Sequence, residues 1–295
     1  MKYVGRFAPS PTGPLHIGSL VTAVASFLHA RQAGGEWLVR IEDIDPPREA
    51  PGAAAAILRT LEAFGLEWDR EVLYQSSRMA VYAAAAEGLI GARLAFRCSC
   101  TRSSIRAGNE RRRYPGTCRR KRLAPADTAI RALVKPGIIE LDDGLQGKVA
   151  SHLADTTGDY IIVRRDGLPA YHLAAVVDDA AAGITTVVRG VDLLDSTAAH
   201  IHLQRLLGLH TPDYYHLPVV VNGQGQKLSK QTGATAVAGA APGVAASVLA
   251  LLGLDVPAEL WGAQPKTLWR WALGRWAIET LRARRAIAAP KQMGQ

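Results

Sequence analysis

An α/β fold built on a doubly wound parallel sheet is what this sequence predicts, on three observations. Apolar β-like runs alternate with helical patterns over residues 1–94. The same alternation resumes over residues 169–236. Between them, residues 95–168 break the rhythm with a dense basic segment, all three cysteines and short β-like runs, which reads as an insertion between two halves of one sheet. Residues 237–295 change character once more and read as a small C-terminal helical region.

Residues 2–8 can extend as a first strand. Pro9, Pro11, Gly13 and Pro14 then forbid regular structure, and residues 19–32 read as a helix with Leu20, Val24, Phe27 and Leu28 on one face. The turn delivers His16 and the backbone amides around Gly18 to a helix N-terminus. Its partial positive charge and unpaired N–H groups suit phosphate, and a glycine lets a ligand approach the backbone. Residues 36–42 form a second strand ending in Glu42, Asp43 and Asp45; acids just past a strand's C-terminal end lie where open α/β sheets bind ligands. Residues 51–65 place Ala55, Leu58, Leu61 and Phe64 at helical spacing. Residues 71–75 can be a third strand, and residues 79–91 a third helix.

The insertion holds the chain's charge excess. The formal net charge is +9, and residues 97–122 alone contain ten Lys/Arg against one acid, so the remainder is balanced. Such a patch suits a phosphate backbone; a solubilising surface loop is the other reading. Cys98, Cys100 and Cys118 fall in the same stretch. An odd number of cysteines in a reducing compartment argues against a disulfide framework. Structural zinc asks for four ligands, and no histidine lies between Cys98 and Cys118; Tyr114 is the nearest candidate for the fourth. Three reduced cysteines in a small core remain the alternative. Beyond them, residues 129–134 and 137–141 are β-like, with a turn at Asp142-Asp143-Gly144.

In the second half, Pro169 to Ala174 lead to Asp178 and Asp179. Residues 184–190 read as a strand ending at Arg189, and residues 196–207 as a helix capped by Ser196. Residues 215–221 form a last strand, feeding a Gly-flanked loop in which Lys227 and Lys230 stand three apart and can fold over a polyphosphate. Helical segments follow at residues 244–252 and 267–287. Trp269, Leu273 and Trp276 recur there at helical spacing, which favours a packing face over a base-stacking platform; the arginines among them suit RNA or solvent equally.

At 295 residues and 48% hydrophobic content the chain can bury a sizeable core. It offers no run of about 18 apolar residues, so no membrane span is expected. No signal peptide precedes the proline-rich motif, so a cytoplasmic protein is expected.

Together, Arg6-Phe7-Ala8-Pro9-Ser10-Pro11-Thr12-Gly13, His16-Ile17-Gly18-Ser19 and Lys227-Leu228-Ser229-Lys230-Gln231 resemble the lead-in, HIGH and KMSKS signatures of class I aminoacyl-tRNA synthetases, in the glutamyl branch. Ser19 replaces the second histidine of HIGH, a change that branch tolerates. The resemblance covers residues 1–235 and implies a Rossmann-type parallel sheet. It also implies glutamate contacts at Arg6, Phe7, Ala8, Pro9, Ser10, Glu42, Tyr171 and Arg189, and ATP contacts at His16, Gly18, Lys227 and Lys230, with His16 and Lys230 catalytic and Mg²⁺ accompanying ATP. The chain ends about 60 residues after the lysine loop, too few for a large anticodon-binding region. A short core with a Cys-x-Cys…Tyr-x-x-x-Cys insertion is similar to the glutamyl-Q tRNA(Asp) synthetases, in which the residues matching Cys98, Cys100, Tyr114 and Cys118 bind one structural zinc. That likeness implies ATP-dependent activation of L-glutamate without tRNA, then transfer to queuosine in the anticodon of tRNA(Asp), by a monomer. The competing readings are a minimal enzyme charging a tRNA 3′ end, a class I nucleotidyl transferase using another acid, and a non-catalytic RNA-binding protein.

Overall fold

The computed structural model describes residues 2–106, 113–228, 237 and 241–289. β1 (Val4–Phe7) leads through the proline-rich turn into α1 (Ile17–Gln32) and back to β2 (Glu36–Ile41), which lies parallel to β1 with Val4 opposite Glu36. α1 is buried on most of its circumference, with Leu20, Val24 and Leu28 inaccessible to solvent. The indole of Trp37 donates to Ser26 Oγ (2.9 Å) and meets Phe27 edge-on at 5.3 Å. A buried aromatic of this kind contributes about 1.5–3 kcal/mol through apolar area alone, so Trp37 anchors α1 against β2.

α2 (Ala53–Ala63) and the short β3 (Leu73–Tyr74), parallel to β2, complete this half, followed by α3 (Met79–Gly91). The insertion opens with β4 (Ala95–Cys98) and a short α4 (Arg102–Arg106). It continues with β5 (Ala129–Ala132), the antiparallel hairpin β6 (Ile139–Asp143) and β7 (Gly147–Ser151), a single turn α5 (Leu153–Thr156), and β8 (Ile161–Val163). Strands β4, β5 and β8 form a small antiparallel sheet in that order. Antiparallel pairing here, against parallel pairing elsewhere, marks the segment as a separate structural layer.

α6 (Tyr171–Ala182), β9 (Thr186–Gly190), α7 (Leu194–Leu207) and β10 (Asp213–Leu217) restore the parallel pattern, with β9 and β10 in register from Thr186 to Gly190. Gly183 and Gly208 close the two helices in the left-handed conformation that only glycine adopts without strain. The two parallel sheets meet at Val4: its N–H donates to Thr185 Oγ1, and its carbonyl accepts from Thr185 N–H. Alternate strand residues face opposite layers. Val39, Val188 and Leu217 join the core under α1 and α2, whereas Leu38, Val187 and Tyr214 join the one under α3, α6 and α7. Helices thus cover both faces, as the predicted doubly wound sheet requires.

Three local expectations are corrected. Ser196 does not cap α7: a 3₁₀ turn, Val191–Leu193, runs straight into the helix, and Ser196 Oγ donates to Leu193 O from inside the first turn. The single strand expected over residues 215–221 is split at Pro218, which has no N–H for a ladder, into β10 and β11 (Val219–Val221). After α8 (Val244–Leu251), the long helix expected over residues 267–287 is only α9 (Pro265–Leu273). Gly274 stops it, a 3₁₀ turn follows at Ile278–Leu281, and β12 (Ala286–Ala288) pairs parallel with β11. The C-terminal region is therefore not purely helical. Trp269 and Trp276 are buried: Trp269 Nε1 donates to Phe64 O, and Gln32 reaches Trp276 O, so the aromatic stripe packs on the sheet domain. Among the described residues no helix is long and apolar enough to cross a membrane.

Candidate active site

The chain builds one way from β1, to β2 and β3, and the other way from β9, to β10. Where these directions part, at the C-terminal ends of the strands, lies a cleft of about 700 Å³, a volume ordinary for a small-molecule site. Phe7, Ala8, Pro9 and Ser10 form part of its wall, and Arg6, His16, Gly18, Glu42, Tyr171, Arg189 and Lys227 also line it. The predicted ligand-facing residues are thus brought together from five separate parts of the chain. Lys230 lies outside the described residues.

His16 is the N-cap of α1. Its Nδ1 accepts from Ser19 N (3.3 Å), and Nε2 lies 3.0 Å from Ser19 Oγ. A Cβ on Gly18 would sit 3.2 Å from the His16 ring and crowd it, so glycine leaves the ring room at the helix end. Lys227 Nζ donates to Asp192 Oδ2 at 2.6 Å, beside the cleft.

At the other end the charges are cross-braced and buried. Arg6, 5% exposed, grips Asp179 with Nε and Nη2 at 3.2 and 3.3 Å; Arg40 reaches the same carboxylate at 2.5 Å and Glu42 at 3.1 Å. Burial pushes the Asp179 carboxyl up, but the two guanidinium groups outweigh it and hold it down at about 2. Burial raises Glu42, with Arg40 opposing. Two arginines and two carboxylates balance in this cluster.

Arg189 is different. Its Nε donates to His216 Nε2 (3.1 Å), Nη1 to Tyr171 Oη (3.2 Å) and to His200 Nδ1 (3.3 Å), and Nη2 to Thr197 Oγ1 (2.8 Å). Every one of these partners is a neutral acceptor. Burial, with the Arg189 charge reinforcing it, drives His200 well below the usual histidine range, and burial likewise lowers His216. Among the described residues no carboxylate touches Arg189 directly; the nearest acid in its hydrogen-bond network, Asp143, stands behind His216, so the buried guanidinium is held by neutral groups alone.

Asp179, Arg40, His216, Thr197 and Asp192 were missed as site residues. Arg40 carried a signal, a charge inside the apolar run Trp37-Leu38-Val39; so did Asp179, an acid among the apolar residues of α6. His216 and Thr197 had none.

In the insertion, Cys98, Cys100 and Cys118 bring their sulfurs within 4.8 Å of one another, two of them 3.6 Å apart. Tyr114 Oη lies 3.4 Å from Cys98 Sγ and accepts from Cys118 N at 2.8 Å. A tetrahedral thiolate site with bonds of about 2.3 Å sets its sulfurs roughly 3.8 Å apart, so this cluster fits a soft metal ion as it stands. Burial pushes the Cys100 thiol up to about 11, whereas hydrogen bonds from Tyr114 and the Ser99 amide overcome burial at Cys118 and bring it to about 7.

A family described as tRNA synthetases class I (E and Q), catalytic domain, matches residues 2–242. A glutamyl-Q tRNA(Asp) synthetase of Thiobacillus denitrificans is 52% identical over 97% of both chains, and one of Pseudomonas aeruginosa is 48% identical over 99% of this chain and 98% of its own. Among solved structures, a glutamate tRNA ligase of Elizabethkingia meningosepticum in complex with its amino acid superposes with a TM-score of 0.83 at 27% identity, over 100% of this chain and 68% of that one. With the parallel sheet, the cleft at its strand ends and these likenesses in place, the chain belongs to the class I tRNA synthetase family, on the branch of the glutamyl-Q tRNA(Asp) synthetases.

Proposed function

We propose that this enzyme activates L-glutamate with ATP, without tRNA, and transfers the glutamyl group to queuosine in the anticodon of tRNA(Asp). The observation that carries the glutamate reading is the Arg189 guanidinium, 4% exposed, which lines the cleft and touches no carboxylate directly. A side-chain carboxylate seated there meets a fork and the Tyr171 hydroxyl. Arg6 lines the same wall, Glu42 takes the ammonium, and Phe7 to Ser10 flank the backbone of the amino acid.

The α-carboxylate oxygen then attacks the α-phosphorus of ATP, and pyrophosphate leaves with the electrons of the broken P–O bond. Negative charge builds on phosphate oxygens at the N-terminus of α1, where His16 and the amides near Gly18 stand. Lys227 and Lys230 steady the departing pyrophosphate, so the protein's part is positioning and electrostatic stabilisation. Mg²⁺ arrives with ATP and is held mainly by phosphates and water. In the second step a hydroxyl of the cyclopentenediol attacks the acyl carbon and AMP leaves. The names of the relatives support queuosine as acceptor, and the basic residues 119–122 offer a surface for the tRNA backbone. The reading places the enzyme in the cytoplasm as a monomer.

ATP–pyrophosphate exchange with glutamate, followed by labelling of tRNA(Asp) with and without queuosine, tests this. Exchange without tRNA and labelling of the queuosine form alone are expected. Exchange that requires tRNA(Glu), with label on its 3′ end, would replace the reading with a charging enzyme, and no exchange at all with a binding protein.

The thiol cluster would hold one structural zinc through Cys98, Cys100, Cys118 and Tyr114. Bound there, zinc ties β4 to the loop before β5 and supplies no reactive group. Cys98→Ser should lower metal content well below one per chain, measured by elemental analysis of the purified protein; unchanged content overturns the assignment.

A further inference from the structure

The fork of Arg189 is held in part by residues that do not line the cleft, His216, Thr197 and His200. His216, on β10, is fully buried. Its Nε2 faces the donor Arg189 Nε at 3.1 Å, with the Thr197 hydroxyl 3.0 Å away. Arginine Nε can only donate, so His216 Nε2 must present its lone pair, and the ring proton sits on Nδ1. That proton has one partner: Asp143 Oδ2, 2.5 Å away. Asp143 closes the β6–β7 hairpin of the insertion. Its Oδ1 accepts from the backbone amides of Leu145 (3.0 Å), Gln146 (2.8 Å) and His216 (3.2 Å), so the carboxylate cannot swing away without stripping three N–H groups of their acceptor.

We infer that Asp143 is a specificity-determining positioning residue: by fixing the tautomer of His216 it aims the Arg189 fork at the carboxylate of the substrate. The line of contact runs from the insertion hairpin through β10 to β9, which makes the inserted layer part of amino-acid selection. The inference rests on the assignment of Arg189 to the glutamate side chain.

Asparagine at position 143 separates geometry from charge. Its carbonyl oxygen can keep the three backbone amides. Its NH₂ then points at His216 Nδ1, which must turn acceptor; the ring proton moves to Nε2 and confronts the Arg189 Nε–H, donor against donor. Loss through the wrong tautomer is a known outcome when an acid that orients a histidine becomes its amide.

In ATP–pyrophosphate exchange, Asp143→Asn should raise the KM for glutamate on the order of tenfold or more, with the KM for ATP within about twofold of the parent. In a His216→Gln background the same substitution should cost less than about threefold, because the glutamine carbonyl can accept from Arg189 whatever stands at position 143. An unchanged glutamate KM in Asp143→Asn overturns the inference. So does an equal loss for both substrates with a lowered melting temperature, the mark of a merely structural acid. Arg189→Gln separates the two levels: if it leaves the glutamate KM unmoved, the assignment of Arg189 itself falls; if it raises that KM while Asp143→Asn does not, only the relay falls. Should Asp143→Asn fail to fold, ¹⁵N imidazole shifts of the parent protein decide the matter. Protonation of His216 at Nδ1 is expected, and protonation at Nε2 overturns the relay.

Discussion

The two ends of the cleft are built on opposite principles. At the amino-acid end, Arg6, Arg40, Arg189 and Asp179 are all at most 5% exposed and fixed by several hydrogen bonds each. At the end proposed for the nucleotide, the Lys227 side chain is 47% exposed and the Asp192 side chain that pairs with it 37%. The first end is assembled by folding, so its orientation cost is met before any ligand arrives. The second is held by contacts that solvent weakens, and a triphosphate can replace them. A rigid seat joined to an adjustable one suits a reaction in which a small, fixed amino acid waits while a larger, highly charged co-substrate is drawn around it.

The sharpest way to break this contrast is at Asp179. It is the shared counter-ion of two buried arginines, and removing one partner of such a cluster costs about 3–5 kcal/mol. Asp179→Asn should lower the urea midpoint accordingly and weaken glutamate binding with it. The pH dependence carries the same signature. A carboxyl held at about 2, below its ordinary 3.8, contributes stability that is complete above the ordinary value and is lost as pH falls toward 2. The parent should therefore lose stability through that acid window, and the variant should show a shallower loss, read from melting temperatures between pH 5 and the acid limit. A midpoint unchanged in Asp179→Asn would mean that the amino-acid end is not a folded-in structure.

A smaller effect is expected at the other end. Exposed ion pairs contribute about 0.2–1 kcal/mol, so Asp192→Ala should change the KM for ATP by no more than about fivefold, leave the glutamate KM as it was and hardly move the melting temperature. Steady-state exchange kinetics at low and high salt would read this. A glutamate effect as large as the ATP effect would show that the two ends are coupled more tightly than their burial suggests.

α3 is legible in the sequence because its buried residues, Tyr82, Ala86 and Leu89, recur at helical spacing, while α1 and β2, buried almost throughout, are legible as apolar runs between turn residues. β12 had no such mark: three residues pair with β11 across more than sixty intervening positions, and nothing in Ala286-Ile287-Ala288 says so. The site divides the same way. His16, Glu42 and Arg189 stand where strands end and helices begin, so order along the chain was enough to place them beside a cleft. Asp143 looked like an ordinary turn acid, and His216 like any residue of a strand. Their meaning lies in a contact 73 positions long, and no window on the sequence spans it.

The β11–β12 pair also ties the C-terminal region to the wall of the cleft. Residues 219–221 leave the cleft wall and run on to Lys227, and their free edge is stapled by residues 286–288, with Val219 N–H additionally tied to Arg285 O. The last described strand is thus the footing of the segment that carries Lys227. A protease cut between Gly274 and Ala286 would remove no group that lines the cleft, yet it would sever β12 from α9 and loosen the strand that leads to Lys227, while the buried Arg6–Asp179–Arg40 cluster keeps every one of its contacts.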